Sequence, residues 1–387
     1  MINTDRIANY AQRNKEFLQR RRETIKQVTD AEIAAIKGNE NEEPQAVERE
    51  SVLYEYYAQN PEMFYNEIGF SIDEFEHLFT LSANCFLYKG RGRKPQISQR
   101  DILVILLHFL RRYPKLEEMA AAYGTSVSKL AKIIDRAIES AYVRFVPLLI
   151  ERPAADMELP TDANIPECGY IIDATIQRIQ VPTGSFEQKK KWFSGKHYCY
   201  CLKSQVITDM KGAAIMVSSG YEGSIHDLNV FRENYEEWRR IALLHPNIPA
   251  KILADKGYQA NDIDTLVTPV KGSPDRLSRQ DNAFNERIGK TRILVENFFG
   301  RLKSRYAIIG SVYRHSHDLY PKIFEICCAF VNFEIRLCGH GLRKEDGDWY
   351  SKFFTNDIDA MRNRALDMQD RRKRQKERRI QRIYGTE

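Results

Sequence analysis

Three prolines, at positions 153, 160 and 166 of ERPAADMELPTDANIPECG, divide this chain into two unlike halves. Proline fixes φ and removes a backbone donor, so closely spaced prolines fit neither a helix interior nor a central strand. The segment 151–165 therefore reads as a linker. Before it, apolar residues recur at helical spacing. After it, short apolar runs alternate with turn residues.

The first half supports a helical domain over 51–150. SVLYEYYAQNPEMFYNEIGF, SIDEFEHLFTLS and ISQRDILVILLHFLRR each carry a helical stripe, and Ser98 is placed to cap the third. KGRGRKPQ, between the last two, is a basic loop punctuated by Gly and Pro. PKLEEMAAAYGTSVSKLAKIIDRAIESAYVRF has the rhythm of a helix-turn-helix. Its turn falls at Gly124, and Ser126 caps a second helix. Val127, Leu130, Ile133 and Ile134 are expected inward there, and Ser128, Lys129, Lys132 and Arg136 outward. Lys129, Lys132 and Arg136 are thus candidate DNA contacts.

Beyond the linker, YIIDATIQRIQVP reads as a strand. HYCYCLKSQVITDMKGAAIMVSSGYEG reads as two strands about an Asp209–Gly212 turn. A helix, HDLNVFRENYEEWRRIALL, and a short strand, KILAD, follow, then helices FNERIGKTRILVENFFGRLKSRY and KIFEICCAFVNFEIRLCGHG. That order, three strands, a helix, a strand and then helices, is an α/β pattern.

The net charge of +6 is local: residues 361–387 hold ten Arg and Lys against four Asp and Glu, and the rest balances. The excess centres on RRKRQKERR in a basic tail, 346–387. A smaller cluster, Arg20, Arg21 and Arg22, lies in a charged, weakly ordered arm, 1–50. Such runs suit nucleic-acid phosphates or an import receptor. No apolar run approaches membrane-spanning length, and MINTDRIANYAQRNKEF lacks the apolar stretch of a secretory signal. Seven scattered cysteines, with no CxxC pair, point to reduced, mostly buried thiols in an intracellular protein.

Three acids stand out by context. Asp173 follows the apolar run Tyr170-Ile171-Ile172. Asp255 closes the strand KILAD just before Lys256 and Gly257. Glu296 lies on a helix with Arg292 four residues before it and Lys303 seven after, offsets that return to nearly one face. Val295, Phe298, Phe299 and Leu302 supply a surface that can pack. A carboxylate among apolar residues is costly to bury unless it is paired or binds a cation. An all-oxygen set of two Asp and one Glu suits Mg²⁺ or Mn²⁺, and paired ions of this kind promote in-line phosphoryl displacement. Lys256, Arg292, Lys303 and Arg305 are placed to meet phosphates.

The segments IIDATIQRIQ, EGSIHDLNVF, ILADKGYQ and RILVENFFGRLKSRY resemble the catalytic core of PIF/Harbinger-type DDE transposases and the nucleases derived from them. The Arg-x3-Glu-x6-Lys spacing is similar to the glutamate-helix signature of related insertion-sequence transposases. The resemblance implies an RNase H-like core over 166–345, a mixed sheet flanked by helices, with Asp173, Asp255 and Glu296 as its metal-binding catalytic acids. Asp227, in GSIHDLNVF, matches a recurrent family position and is expected beside the metal or as an alternative ligand; Asp255 is favoured for the triad by its place at a strand end. The chain departs from the family pattern in two places. Ile-Asp-Ala-Thr replaces the usual Ile-Asp-Gly-Thr, and Gly289 stands where related signatures carry Tyr. His197 and His226 are expected to be hydrogen-bonded, not ligands.

The resemblance thus implies a metal-dependent DNA endonuclease or transposase in the nucleus, cytoplasmic before import. Its expected partners are DNA, a Myb-like DNA-binding protein and a second copy in a homodimer, with no membrane association. The alternatives are a transposase-derived DNA- or protein-binding factor without catalysis, and a metal hydrolase of small phosphate esters.

Overall fold

A computed structural model of the chain describes residues 50–87, 97–151, 165–260 and 262–352, with positions 367, 370, 371 and 374. The expected N-terminal arm, the KGRGRKPQ loop, nearly all of the linker and most of the basic tail lie outside the described residues. The chain forms two compact units.

The first unit is helical. It contains α1 (Val52–Ala58), α2 (Pro61–Ile68), α3 (Ile72–Ser82), α4 (Gln99–Arg112), α5 (Leu116–Ala122) and α6 (Val127–Leu149). Local sequence sets the boundaries. Asn60 accepts the Met63 N–H just before Pro61, which separates α1 from α2. Ser71 and Glu74 form a reciprocal capping box on α3, and Ser98 caps α4 by accepting the Asp101 N–H. Between α5 and α6, Gly124 takes a left-handed φ of 60° and Ser126 accepts the Lys129 N–H. Leu130 and Ile134 of α6 are buried, whereas Ser128, Lys129, Lys132 and Arg136 are exposed. Val127 was expected inward but is 37% exposed. It is the first residue of α6, before the stripe of that helix meets a neighbour.

Arg232–His245 and Lys322–His340 also belong to this unit. In it, Phe330 meets Phe70 and Phe145 edge to face, and Asn332 donates to the Leu149 carbonyl. The contiguous domains expected from the sequence differ from this division. Amphipathic helices announce that they will be buried, but not against what.

The second unit is built on a mixed sheet. Its strands are β1 (Cys168–Arg178), β2 (Phe193–Ser194), β3 (Cys199–Asp209), β4 (Ala214–Glu222), β5 (Lys251–Leu253) and β6 (Leu266–Val267). β4, β3 and β1 are antiparallel neighbours, β5 joins β1 in parallel, and β6 lies beyond β5. The β3–β4 turn closes through Asp209, whose carboxylate accepts the Lys211 and Ala213 N–H groups, with Gly212 at φ 83°. Helices α7 (Phe186–Trp192), α8 (Asp227–Glu233), α9 (Tyr235–Leu244), α10 (Arg279–Arg305), α11 (Ala307–Gly310), α12 (Tyr320–Arg336) and α13 (Lys344–Lys352) follow in chain order among the described residues. Asn234 breaks into two the single helix expected over HDLNVFRENYEEWRRIALL.

Helix α10 starts earlier than expected, at a Ser278–Asp281 capping box. Its middle is buried nearly all round, including the polar residues Asn297, Arg301 and Lys303. On one side it is covered by α13, which lies over it. A β-carbon at Gly300 would stand 1.8 Å from the Asp346 carbonyl oxygen. Arg301 donates to Gly341 O and to the Asp346 carboxylate, fixing that approach. The folded unit therefore extends beyond residue 345, where a tail was expected.

Gly300→Ala is expected to destabilise the protein by about 1–3 kcal/mol, because backbone has to move. Thermal unfolding measures this. A change below about 0.5 kcal/mol would mean that α13 is only loosely docked.

Candidate active site

The parallel β1–β5 pairing brings two of the acids together. Ile171 is registered with Leu253. Two residues further along each strand direction stand Asp173 and Asp255. Asp255 keeps an extended backbone, at φ −81° and ψ 175°. Side chains repeat their face every second residue, and adjacent strands lie about 4.8 Å apart. The two carboxylates are therefore neighbours on one face. Asp255 also caps a short 3₁₀ turn, Lys256–Tyr258, by accepting the Gly257 N–H at 2.7 Å. Lys256 is exposed on that turn.

Asp173 is the most constrained of the acids. Its carboxylate accepts the Ala174 N–H at 2.8 Å and lies 3.3 Å from the Arg292 guanidinium. Burial raises its pKa to about 7; Arg292 opposes the rise, and the Asp255 and Asp227 carboxylates add to it. Ala174 sits within the strand and is not among the residues with positive φ. The conformational freedom of a glycine is thus not used there, and alanine fits unstrained.

Asp227 opens α8. Its carboxylate is 2.7 Å from the Lys203 ammonium, which also donates to the Ile225 carbonyl. Gln205 donates to the Asp227 backbone carbonyl at 3.0 Å and to the Tyr258 hydroxyl at 2.9 Å. One β3 side chain thereby ties the start of α8 to the turn that follows Asp255. Glu296 is half-buried on α10. Tyr350 of α13 donates to the Thr175 hydroxyl at 3.0 Å. Burial raises the Tyr350 pKa, and Asp173, Glu296 and Asp227 add to that rise. Tyr258 responds in the same way to Asp173, Asp227 and Asp255. All four acids thus act on one neighbourhood.

The basic residues divide. Arg292 is half-buried and committed to Asp173, and Arg305 is half-buried near the end of α10. Lys303 is only 2% exposed and donates to the Ile176 carbonyl at 2.5 Å. Burial, with Arg178 nearby, lowers its pKa to about 7. It faces β1 and not solvent, because helical spacing fixes an angle around α10 but not what covers it. Lys129, Lys132 and Arg136 belong to the helical unit. His226 accepts the Leu228 N–H, and burial lowers the His197 pKa to about 4.

Lys203, Gln205, Tyr258 and Tyr350 went unnoticed in the sequence. The one available signal was the polar run Lys203-Ser204-Gln205 between the apolar residues of β3.

Oxygen-only donors around a desolvated carboxylate fit a hard divalent cation. As placed, two of the four carboxylates are met by Arg292 and Lys203. Among the described residues, no three acidic, His or Cys side chains converge at ligand distance.

Residues 172–332 match a family described as DDE superfamily endonuclease. The match spans Asp173, Asp227, Asp255 and Glu296. The chain is also similar to a protein of Microchaete diplosiphon named as a probable transposase for insertion sequence element IS702. The two are 25% identical over 252 residues, covering 64% of this chain and 85% of that protein. No solved structure matches the chain significantly. No helix among the described residues is long and apolar enough to cross a membrane.

The raised pKa of Asp173 has a thermodynamic sign. Its stabilising contribution is complete below the unfolded value near 4 and is lost as pH rises through about 7. Without metal, the stability difference between Asp173→Asn and wild type should shift toward the variant by up to about 4 kcal/mol from pH 4 to pH 8. Denaturant melts at the two pH values check this. A pH-independent difference would mean that Asp173 ionises normally.

Proposed function

We propose that the chain is a metal-dependent DNA endonuclease of transposase type, with an RNase H-like core of the PIF/Harbinger kind. One observation carries the reading: the β1–β5 register sets Asp173 beside Asp255, inside the stretch that matches the endonuclease family. In this reading Asp173, Asp255 and Glu296 hold Mg²⁺ or Mn²⁺. Such ions, when bound, stabilise the attacking and leaving oxygens of an in-line phosphodiester displacement. Asp227, engaged by Lys203, orients the site from beside it, and Gln205 couples it to the Asp255 turn.

Arg292 holds Asp173 when no cation is bound, and it is free to turn to a phosphate when one is. Lys256 and Arg305 meet the DNA backbone. Lys303 serves instead as a buried prop that fixes β1 through the Ile176 carbonyl. In the helical unit, Lys129, Lys132 and Arg136 form an outward row on α6 for a DNA backbone or groove. Action on chromosomal DNA in the nucleus, strand joining, a Myb-like partner and a homodimer complete the proposal.

A second reading is favoured by the ion pairs Arg292–Asp173 and Lys203–Asp227. There the carboxylates are structural, and the chain is a transposase-derived binding factor without chemistry.

Calorimetry with Mn²⁺ separates the two readings. Wild type and Asp227→Asn should bind, whereas Asp173→Asn, Asp255→Asn and Glu296→Gln, each lacking a ligand carboxylate, should lose most of their affinity. Mn²⁺-dependent nicking of supercoiled DNA should follow the same order. Binding that survives all three substitutions, with no nicking by wild type, would favour the binding factor. Loss at Asp227 in place of Asp255 would redraw the site.

A further inference from the structure

Between β1 and β3 the chain inserts α7, and nothing in the proposed chemistry uses it. Its sequence, FEQKKKW, places three consecutive lysines beside two aromatic residues. At 100° per residue, Phe186 and Lys190 share one face, with Lys189 alongside. Glu187 lies 100° round from Phe186. Phe186 is 75% exposed, and Val181, in the approach to the helix, is 62% exposed. Lys190 is exposed and Lys189 half-buried. An aromatic ring this bare on a capped helix is unusual, since burial of its apolar area normally fixes such a residue.

The other face of α7 is anchored. Lys191 pairs with Glu222 at 3.4 Å, and the Lys191 carbonyl accepts the Ser224 N–H at 3.0 Å. Trp192 packs edge to face on His317, with ring centroids 4.7 Å apart. A β-carbon at Gly223 would stand 2.5 Å from the Trp192 carbonyl oxygen and 2.7 Å from that of Cys201. Only glycine permits this clamp. Residues 222–224 are the segment that leads directly into Asp227, so α7 is fastened at the rim of the acidic cluster. A Ser185–Gln188 capping box fixes where the helix starts.

We propose that this face of α7 binds an unpaired DNA strand beside the cleavage site. Phe186 stacks on an exposed base, and Lys189 and Lys190 meet the flanking phosphates. The inference rests on the endonuclease reading and deepens it. Its occupant is chosen by charge and shape: cations beside a bare aromatic, next to carboxylates that by themselves repel phosphate. A membrane or an acidic protein partner would use the lysines, but would not need one isolated ring. Base stacking on an aromatic side chain tolerates any base, so this contact reads strand openness and not sequence.

The test uses the full chain in EDTA, with two probes labelled by terminal 2-aminopurine. One is a blunt duplex and the other the same duplex with a few unpaired terminal nucleotides. Wild type should prefer the open end and quench its fluorophore. Phe186→Ala should weaken open-end binding about fivefold or more and leave blunt-duplex affinity unchanged. Phe186→Trp should restore the preference. Lys189→Glu with Lys190→Glu should weaken both probes and flatten the salt dependence. The melting temperature of each variant should match wild type, because the altered side chains are mostly outside the core.

Equal quenching by wild type and Phe186→Ala would overturn the proposal, as would equal affinity of wild type for both probes. A wild type that stacks the open end but never nicks DNA with Mn²⁺ would remove the endonuclease reading alone. A wild type that nicks, with stacking indifferent to Phe186, would remove this inference alone.

Discussion

Burial of the Asp173 carboxylate is the constraint around which the second unit is arranged. An isolated ionised carboxylate among apolar residues is not tolerated. The fold answers in three ways: Arg292 beside it, the Ala174 N–H on it, and a pKa raised toward neutrality. Each answer draws in another element. Arg292 brings α10, α10 is fixed by α13, and α13 brings Tyr350 onto Thr175, two residues along β1. The acid that weakens the sheet thereby dictates what is packed on it. This is the usual relation between a preorganised site and the stability it gives up.

Close backbone approach is the second recurring device. Gly300 admits the Asp346 carbonyl, and Gly223 admits the Trp192 carbonyl. In each case a missing β-carbon lets a peripheral helix lie directly on a segment that bears an acid of the cluster. Position, and not flexibility, is what these glycines provide.

Much of this was legible in sequence because local physics decides it. Short apolar runs bounded by turn residues gave β1, β3 and β4. Capping serines gave the starts of α4 and α6, and an acid closing a short strand gave Asp255. What stayed hidden depends on distant partners. Lys303 lay on the expected face of α10, but nothing local shows that this part of the helix is covered. The assignment of Arg232–His245 and Lys322–His340 to the helical unit has no local cause either. Lys203 and Gln205 acquire meaning only when β3 lies beside β1. Two-residue strands such as β6 carry too little pattern to be seen at all.

The β1–β5 pairing also bears on how the chain folds. β1, β3 and β4 follow one another closely and pair as an antiparallel meander, so the loops they close are short. β5 pairs with β1 across a much longer loop, which costs more chain entropy to close. Asp173 and Asp255 stand 82 residues apart in the chain, so their repulsion falls on that long-range contact. Had the acids been carried on a hairpin, their repulsion would oppose the first contacts of the sheet. Carried on a parallel crossover, it opposes a contact that only the long-range topology of the sheet makes.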